Sequence, residues 1–445
     1  MFTREIISNL TSWRADPLRK PLLLRGARQV GKSSLVRFFG QSFEFYAEVN
    51  LENERHRQLL ARATDLASTI EAIELVTGVP VRDGQTLVFI DEIQQLPAMI
   101  TMLRFFYEER PRLAVIAAGS HLEASIKRAG LSVPVGRVDN QYLFPLTFAE
   151  HLAIFGLDTL LNRLRGVALG DLISDVLHAE AMEAFGSFMR WGGMPEIAAA
   201  RLAGAMPKRI TAIYESLLSG FREDIFKYAR EAEANDISFI LNHAPHEVGS
   251  AFKYENFARG GRKSREMHRA FDLLEQVLLI HQVRPTHAII PPLGEQPRRA
   301  KKLLFLDIGL VNYAAHLTES YQPGIKLTDL YRGRAADQVV GQELIALSTA
   351  RRPELFYWCR HGTEGSAELD YTTTLNDKVI GIEVKSGASG KLRSLHQFAI
   401  KAPDGRAVRI GDCKLAREQV TIGKTSYEMI SVPFYLVFRL PELLS

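Results

Sequence analysis

Hydrophobic residues in the first third of the chain form short continuous runs, separated by stretches with a helical repeat. The runs cover residues 21–25, 87–90 and 113–118, and each has the length of a strand. A continuous apolar run is typical of a strand buried on both faces, as in a parallel sheet. Apolar positions at helical spacing, for example in 33–39, predict helices between the runs. Residues 1–155 are therefore predicted to form an αβα sandwich, and the fold class is α/β.

Two other patterns follow in the middle of the chain. Residues 156–235 are rich in Leu and Ala at helical spacing and are interrupted at 191–196, which predicts a helical lid beside the sheet. Residues 236–324 have the layout of a winged helix-turn-helix. Its predicted elements are a short helix over 254–258, a Gly turn with Ser264 as N-cap, a longer helix over 265–279 and a strand over 279–283.

The last segment, residues 325–445, predicts a further α/β domain. Two strands are indicated, over 367–373 and 379–386, with a helix over 337–344 before them. Their alternating and apolar positions fit strands at the edge and in the centre of a sheet.

Length and composition limit the class of protein. The 445 residues are enough for about two to four domains. A hydrophobic content of 46% with 24% charged residues is typical of soluble globular proteins, and no apolar run approaches the ~18 residues of a membrane span. The only cysteines, Cys359 and Cys413, provide no disulfide framework, which fits a cytoplasmic location. The net charge of +4 is too small to indicate nucleic-acid binding by itself.

The first hydrophobic run is followed by a phosphate-binding pattern. Residues 26–33 match G-x-x-x-x-G-K-[ST]. The backbone N–H groups of such a loop and of the next helix surround nucleotide phosphates. Lys32 is expected to neutralise phosphate oxygens and Ser33 to bind Mg²⁺. The predicted nucleotide-binding residues of this loop are Gly26, Ala27, Arg28, Gln29, Val30, Gly31, Lys32, Ser33 and Ser34.

Polar residues follow the other two runs. The carboxyl ends of parallel strands meet at one edge of the sheet, so these residues are predicted to lie beside the loop. Asp91 is expected to bind Mg²⁺, and Glu92 to act as the general base for the water that attacks the γ-phosphate. Ser120 is expected to hold that water or the γ-phosphate. A helix N-cap role explains Ser120 equally well, and the two roles are compatible.

A second group of charged residues lies near the C-terminus. Glu383 and Lys385 point to the same face of a predicted strand because they are two residues apart. Asp370 on the neighbouring strand and Glu343 on the upstream helix complete a candidate site for Mg²⁺ or Mn²⁺. Lys385 would orient a water there rather than bind the metal. The competing interpretation is a surface Glu–Lys pair.

Basic residues cluster in the predicted winged helix and again at 298–302. The exposed face of its longer helix could enter a DNA groove. A solvated surface explains both clusters equally well, and winged helices also serve as packing modules. The candidate DNA-binding residues are Arg262, Lys263, Arg265, His268 and Arg269.

Several separated segments, in order, resemble AAA+-type ATPases of the archaeal-ATPase-like (AAA_14) group that carry a C-terminal DUF4143 domain. The resemblance extends through nearly the whole chain. The segments are 24–33, 89–94, 118–120, 136–138, 144–150, 192–196, 305–310, 357–358, 367–370 and 382–387.

The resemblance implies ATP and Mg²⁺ as cofactors and a winged helix followed by a PD-(D/E)xK nuclease-like domain. It also implies a homo-oligomer, with a hexameric ring as one form, in which an arginine reaches the neighbouring subunit's nucleotide. Arg137 is the candidate, although pairing with Asp139 or the lid explains it equally well. Pro195 of the G-x-P element is expected beside the nucleotide. The lid has no clear second-sensor arginine, which departs from the usual AAA+ pattern.

These observations favour a Mg²⁺-dependent ATP hydrolase that couples ATP binding and turnover to DNA binding or remodelling. The expected partners are ATP or ADP, duplex or branched DNA and further copies of the chain, with no membrane. One alternative is an ATP-gated, metal-dependent DNA nuclease. Another is a nucleotide-controlled signalling or defence switch that acts on protein partners.

Overall fold

The structure, a computed structural model, describes residues 2–120, 122, 125, 130, 134, 136–226, 231–318, 333–362, 365–385, 392–402 and 406–444. Within these ranges no helix is both long enough and apolar enough to cross a membrane. The predicted domain boundary between residues 324 and 325 lies outside the described residues, as do Ser386 and Gly387 of the last matching segment.

The first half contains a five-stranded parallel sheet with the order β2-β3-β4-β1-β5. Strands β3 and β4 are buried along their whole length, as their continuous apolar runs predict. The predicted parallel α/β architecture is therefore confirmed. The strands are β1 (Leu22–Arg25), β2 (Phe45–Asn50), β3 (Thr86–Asp91), β4 (Ala114–Gly119) and β5 (Asp139–Tyr142).

Helices cover both faces of this sheet. Successive side chains of β3 point to opposite faces, so Val88 packs into the core on one side and Phe89 into the core on the other. The core around Val88 includes side chains of α3, α4 and α5, and the core around Phe89 includes those of α1 and α2. These helices are α1 (Ile7–Ala15), α2 (Lys32–Gly40), α3 (Glu54–Leu60), α4 (Leu66–Thr77) and α5 (Ala98–Glu109).

A run of helices follows the sheet, in agreement with the helical pattern of residues 156–235. The helix α6 begins with a capping box between Thr147 and Glu150. The helix α9 begins with Pro195, whose restricted φ suits a first helical turn. The helices are α6 (Phe148–Ile154), α7 (Asp158–Gly166), α8 (Asp175–Trp191), α9 (Pro195–Leu202), α10 (Pro207–Phe226) and α11 (Glu231–Glu247).

The second half is built on a mixed sheet of ten strands among the described residues. Its order is β14-β15-β13-β12-β11-β9-β7-β8-β6, and β10 pairs with β9. The strands are β6 (Ala251–Phe252), β7 (Ile280–Thr286), β8 (Lys301–Phe305), β9 (Phe356–Gly362), β10 (Gly365–Glu368), β11 (Tyr371–Leu375), β12 (Lys378–Lys385), β13 (Arg406–Gly411), β14 (Ala416–Ile422) and β15 (Thr425–Pro433).

The segments predicted as a winged helix and as a nuclease-like domain share this sheet, because β7 pairs in parallel with β9. Helices pack on it from both segments. They are α12 (Ser264–Gln276), α13 (Ile308–Ala314), α14 (Arg334–Ala346) and α15 (Arg393–Lys401), and a short helix α16 (Leu440–Leu443) follows β15.

Local details differ from the sequence predictions at three places. The predicted helix over 254–258 is replaced by a single 3₁₀ turn, Phe257–Arg259. Ser264 is not the N-cap of α12: Lys263 holds that position, with no side-chain hydrogen bond to the helix. The predicted strand over 367–373 is interrupted at Asp370, whose side chain accepts a hydrogen bond from the N–H of Val384.

The two halves pack directly against each other. Phe185 of α8 stacks on Phe434, with ring centroids 5.6 Å apart, and also contacts Phe148 at 5.2 Å. Glu343 of α14 accepts a hydrogen bond from the N–H of Phe148 at 3.1 Å. The C-terminal segment therefore contacts both the first helix after the parallel sheet and the helices that follow.

Candidate active site

The loop between β1 and α2 depends on its glycines and one buried lysine. Gly31 is the N-cap of α2 and has a φ of 96°, in the left-handed region that favours glycine. A Cβ on Gly26 would lie 2.4 Å from the carbonyl oxygen of Leu143. Lys32 Nζ donates hydrogen bonds to the carbonyl oxygens of Gly26 (3.0 Å) and Ala27 (2.9 Å). The first N–H groups of α2 and this ammonium are the positively polarised groups at the end of β1, and such groups are suited to an anion.

The loop meets the end of β3 through a short hydrogen bond. Ser33 Oγ donates to Asp91 Oδ2 at 2.6 Å. Burial raises the pKa of Asp91, although the hydrogen bond from Ser33 opposes this. Burial lowers the pKa of Lys32 to about 8. A hydroxyl against a carboxylate provides the oxygen ligands that Mg²⁺ prefers, so these two side chains fit that ion.

Glu92 contacts two polar side chains, one in the turn that follows β3 and one at the end of the neighbouring strand β4. Gln94 Nε2 donates to Glu92 Oε2, and Ser120 Oγ lies 3.5 Å from the same oxygen. Glu92 has a φ of 51°, which turns the chain sharply after β3. A Cβ on Gly119 would lie 2.1 Å from Gln94 Oε1, so the glycine makes room for the amide. The predicted convergence of Glu92 and Ser120 is present, and Gln94 is an additional member that sequence reasoning missed.

The competing N-cap role of Ser120 involves the helix predicted to follow it, and most of residues 121–129 lie outside the described residues.

Two cavities adjoin the loop. One, of about 290 Å³, is polar and is lined by side chains that include Arg28, Lys32, Asp91 and Glu92. The other, of about 400 Å³, is largely apolar and lies between α2 and α9. Pro195 of the G-x-P element lines this second cavity, and its place beside the nucleotide stays a prediction. The second cavity is also lined by Phe2, Leu35, Leu146 and Ala199.

A buried arginine holds the N-terminal segment against the loop. Arg4 donates to the carbonyl oxygens of Val30 at 3.0 Å and Phe144 at 2.7 Å, and it pairs with Glu150 at 2.8 Å. Phe2 is thereby kept beside the apolar cavity. No motif in the sequence marks Arg4, because its partners lie 26 to 146 positions away.

The segment before Pro195 is bonded to both halves of the molecule. The N–H of Gly193 donates to Asp307 Oδ2 at 2.6 Å, and its carbonyl oxygen accepts from the N–H of Leu146 at 2.7 Å. A Cβ on Gly193 would lie 2.1 Å from the carbonyl oxygen of Leu146. Burial raises the pKa of Asp307 to about 6, against the hydrogen bonds that it accepts. The cavity wall at Pro195 is thus tied to the start of α13.

Arg137 does not line either cavity of its own chain. Its Nε pairs with Glu108 Oε1 at 3.0 Å, and its guanidinium lies over the ring of Tyr107. The partner is therefore on α5 rather than Asp139 or the lid. The side chain is 44% exposed, so its predicted role toward a neighbouring subunit stays a prediction.

The predicted C-terminal group is partly assembled, with a lysine that the sequence did not indicate. Lys385 Nζ pairs with Glu383 Oε1 at 2.5 Å. Lys302 of β8 reaches Asp370 Oδ1 at 3.6 Å and Glu368 Oε1 at 2.9 Å. Its ammonium is nearly buried, although sequence reasoning placed it in an exposed basic cluster. Two lysines therefore pair with the three carboxylates of this group.

The structure does not bring Glu343 to this group. Its carboxyl lies at the contact with α6, where burial raises its pKa to about 8. Asp337, earlier on the same helix, lies near Asp370 instead, and burial together with Asp370 raises the pKa of Asp337. In the part of the chain that the structure describes, no group of three or more His, Cys, Asp or Glu side chains could hold a metal ion. The residues that the structure describes therefore do not assemble the predicted second metal site.

Four of the five candidate DNA-binding residues are exposed, and Arg262 is partly buried. Lys263, Arg265 and Arg269 are exposed at the start of α12. Arg262 instead pairs with the buried Asp236 and lies over an aromatic ring. The fifth, His268, is exposed and pairs with Asp272 at 3.1 Å.

Comparison with protein families agrees with this geometry. Residues 18–152 match the model of AAA_14, an AAA domain, and residues 332–433 match DUF4143, a domain of unknown function. The chain combines an AAA domain with a DUF4143 domain. This confirms the resemblance inferred from the sequence segments. Residues 182–321 between them match DUF8612, a further domain of unknown function.

Two proteins are similar to this chain over most of its length. Uncharacterized proteins of Mycobacterium tuberculosis and Mycobacterium bovis are 24% identical over 372 residues, which cover 82% of this chain and 70% of theirs. Among solved structures, a Walker-type ATPase of Pyrococcus abyssi aligns over 71% of this chain and 96% of its own, with 16% identity and a TM-score of 0.44. PCH-2 of C. elegans aligns over 44% and 59%, with 12% identity and a TM-score of 0.29.

Proposed function

We propose that the protein is a Mg²⁺-dependent ATP hydrolase that couples nucleotide turnover to DNA binding by its second half. The observation that carries the hydrolase proposal is the hydrogen bond of 2.6 Å between Ser33 and Asp91, with Lys32 and Glu92 lining the same polar cavity. These four side chains supply an ammonium, a hydroxyl and two carboxylates. That is the set which phosphoryl transfer to water requires.

Each residue has a role that follows from its chemistry. Lys32 and the N-terminus of α2 neutralise phosphate oxygens. Ser33 and Asp91 would hold Mg²⁺, which supplies charge stabilisation on the phosphates. Glu92 accepts a proton from the attacking water, and Ser120 helps to orient that water. The apolar cavity beside Pro195 is suited to the base of ATP, because such pockets are mostly apolar with few polar groups.

Exposed cations support DNA as the partner. Lys263, Arg265 and Arg269 lie at the N-terminal part of α12, which a winged helix-turn-helix would place in a groove. We interpret the last segment as nuclease-like in fold, with α14 before β9, β11 and β12, and α15 before β13. DNA engagement is favoured over metal-dependent cleavage because Glu343, one of the predicted metal ligands, lies at the contact with α6 and away from Asp370 and Glu383.

The first test measures ATP turnover by the full chain, with Mg²⁺, alone and with single-stranded, duplex and four-way-junction DNA. Glu92→Gln should bind ATP and lose turnover, while Glu71→Gln, an exposed carboxylate on α4, should behave as wild type. Normal turnover by Glu92→Gln would refute the assignment of the base.

The DNA proposal has its own matched pair of variants. Replacing Arg265 and Arg269 with Ala should weaken DNA binding and reduce its salt dependence, because fewer phosphates are neutralised. The same change at Lys208 and Arg209, exposed at the start of α10, should have no effect. A rate of ATP turnover that is the same with and without every DNA would favour the alternative of a switch that acts on proteins. Cleavage of the DNA would favour the nuclease alternative.

A further inference from the structure

One side chain of the phosphate loop is held by a helix far along the chain. Arg28 forms an ion pair with Asp224 of α10. The Arg28 side chain is 39% exposed and also lines the polar cavity with Lys32 and Glu92, whereas the Asp224 side chain is only 5% exposed. The guanidinium thus lies between a buried carboxylate and the cavity proposed to hold the nucleotide phosphates.

The lining of the cavity indicates that this guanidinium can meet an anion. It shares the cavity with the cations Lys32 and Arg37, and with the carboxylates of Glu52, Asp91 and Glu92. Burial lowers the pKa of Lys32, and the positive charge of Arg28 lowers it further. A guanidinium binds carboxylate and phosphate oxygens with similar geometry, so it can exchange one for the other. Arg37, which lines the same cavity, differs because two of its nitrogens already bind Glu48, at 2.9 and 2.7 Å.

We propose that Arg28 is a phosphate-binding residue whose guanidinium leaves Asp224 for the terminal phosphate of the bound nucleotide. This inference rests on the proposed ATP hydrolase function. Taking a cation away from a buried carboxylate is unfavourable, so Asp224 competes with the nucleotide for Arg28. Binding of the terminal phosphate is therefore linked to the position of α10.

The helix α10 connects the ion pair at Arg28 with the rest of the molecule through side-chain contacts. Tyr214 of α10 donates to the carbonyl oxygen of Trp191 at 2.5 Å, directly before the glycines of the lid, and stacks on Tyr313 of α13. Arg222 of the same helix donates to Asn242 of α11 at 3.0 Å. Through these contacts, the exchange at Arg28 would bias the packing between the nucleotide site and the second half.

The test is the affinity of the full chain for a non-hydrolysable ATP analogue and for ADP, each with Mg²⁺, by calorimetry. Arg28→Gln should lower the affinity for the analogue about tenfold more than the affinity for ADP, because only the analogue carries the terminal phosphate. Asp224→Asn should tighten analogue binding several-fold, since it removes the competing charge, and this gain should vanish in the double variant. Asp236→Asn, which removes the similarly buried carboxylate that pairs with Arg262, should change neither affinity.

The outcomes separate this inference from the function on which it rests. Wild-type protein that binds neither nucleotide would refute both. If the wild type binds both nucleotides and Arg28→Gln lowers the two affinities equally, only the exchange at Arg28 is refuted. Weaker or unchanged binding of the analogue by Asp224→Asn would also refute the exchange. That result is expected if the ion pair between Arg28 and Asp224 is a permanent structural contact. Should Asp224→Asn fail to fold, the ratio of affinities in Arg28→Gln decides alone, because Arg28 is partly exposed.

Discussion

Replacement of Glu343 by Gln should stabilise the protein, and increasingly so as the pH rises. The carboxyl of Glu343 is 2% exposed, and one oxygen accepts the N–H of Phe148 at 3.1 Å. Burial raises its pKa from 4.5 to about 8, with the charges of Glu5 and Glu150 adding to the effect. Gln keeps the shape and the acceptor oxygen but does not titrate.

The size of the effect follows from the two pKa values. Between pH 4.5 and 8 the folded protein holds a proton at Glu343 that the unfolded chain has released, so stability falls as the pH rises through this window. The interval of about 3.5 pH units, at about 1.36 kcal/mol per unit, corresponds to a loss of about 5 kcal/mol above pH 8. At pH 7 the loss is about 3 kcal/mol by the same relation.

Thermal unfolding of the wild type and of Glu343→Gln at pH 5, 7 and 8.5 tests this. The variant should be more stable than the wild type by about 1 kcal/mol or less at pH 5, and should unfold at a clearly higher temperature at pH 8.5. The exposed control Glu71→Gln should show a difference that does not change with pH. A variant that is less stable at pH 8.5, or a difference independent of pH, would contradict the argument. Stabilisation of the wild type by Mn²⁺ that is lost in Glu343→Gln would instead restore Glu343 as a metal ligand.

Two further predictions concern the nucleotide site. Gln94→Leu removes the donor to the Glu92 carboxylate, so kcat should fall about tenfold while ATP affinity is retained. The control is Gln95→Leu, at the exposed residue next to it. An unchanged kcat in Gln94→Leu would exclude a positioning role for Gln94. Because burial lowers the pKa of Lys32 to about 8, ATP affinity should decline about tenfold per unit above pH 8. A flat affinity from pH 7 to 9.5 would show that Lys32 stays charged in the protein without nucleotide.

The nucleotide site was largely predictable because its residues are close in sequence or follow buried strands. Lys32 and Ser33 belong to one loop, and Asp91 follows a strand whose apolar run marks it as central. Parallel strands bring their carboxyl ends to one edge, so the meeting of Ser33 and Asp91 follows from the architecture. Gln94 was present in a matching segment, but its contact with Glu92 depends on the sharp turn after β3.

The C-terminal group was predicted less well because it depends on helix faces. Glu343 and Asp337 are six residues apart on α14, which at 3.6 residues per turn places them on different faces. Only the packing of that helix decided that Asp337 lies near Asp370 while Glu343 meets α6. Lys302 reaches Asp370 because β8 and β11 belong to the same sheet, which no local pattern indicates.

The sequence by itself determined the α/β class, the phosphate loop and the acidic end of β3, because periodicity and contiguous motifs act over a few residues. The tertiary structure alone decided which distant charges meet. Arg28 and Asp224 are almost two hundred positions apart, and Gly193 and Asp307 more than a hundred. Buried charges need partners wherever the fold brings them, and those partners are chosen by packing, not by spacing along the chain.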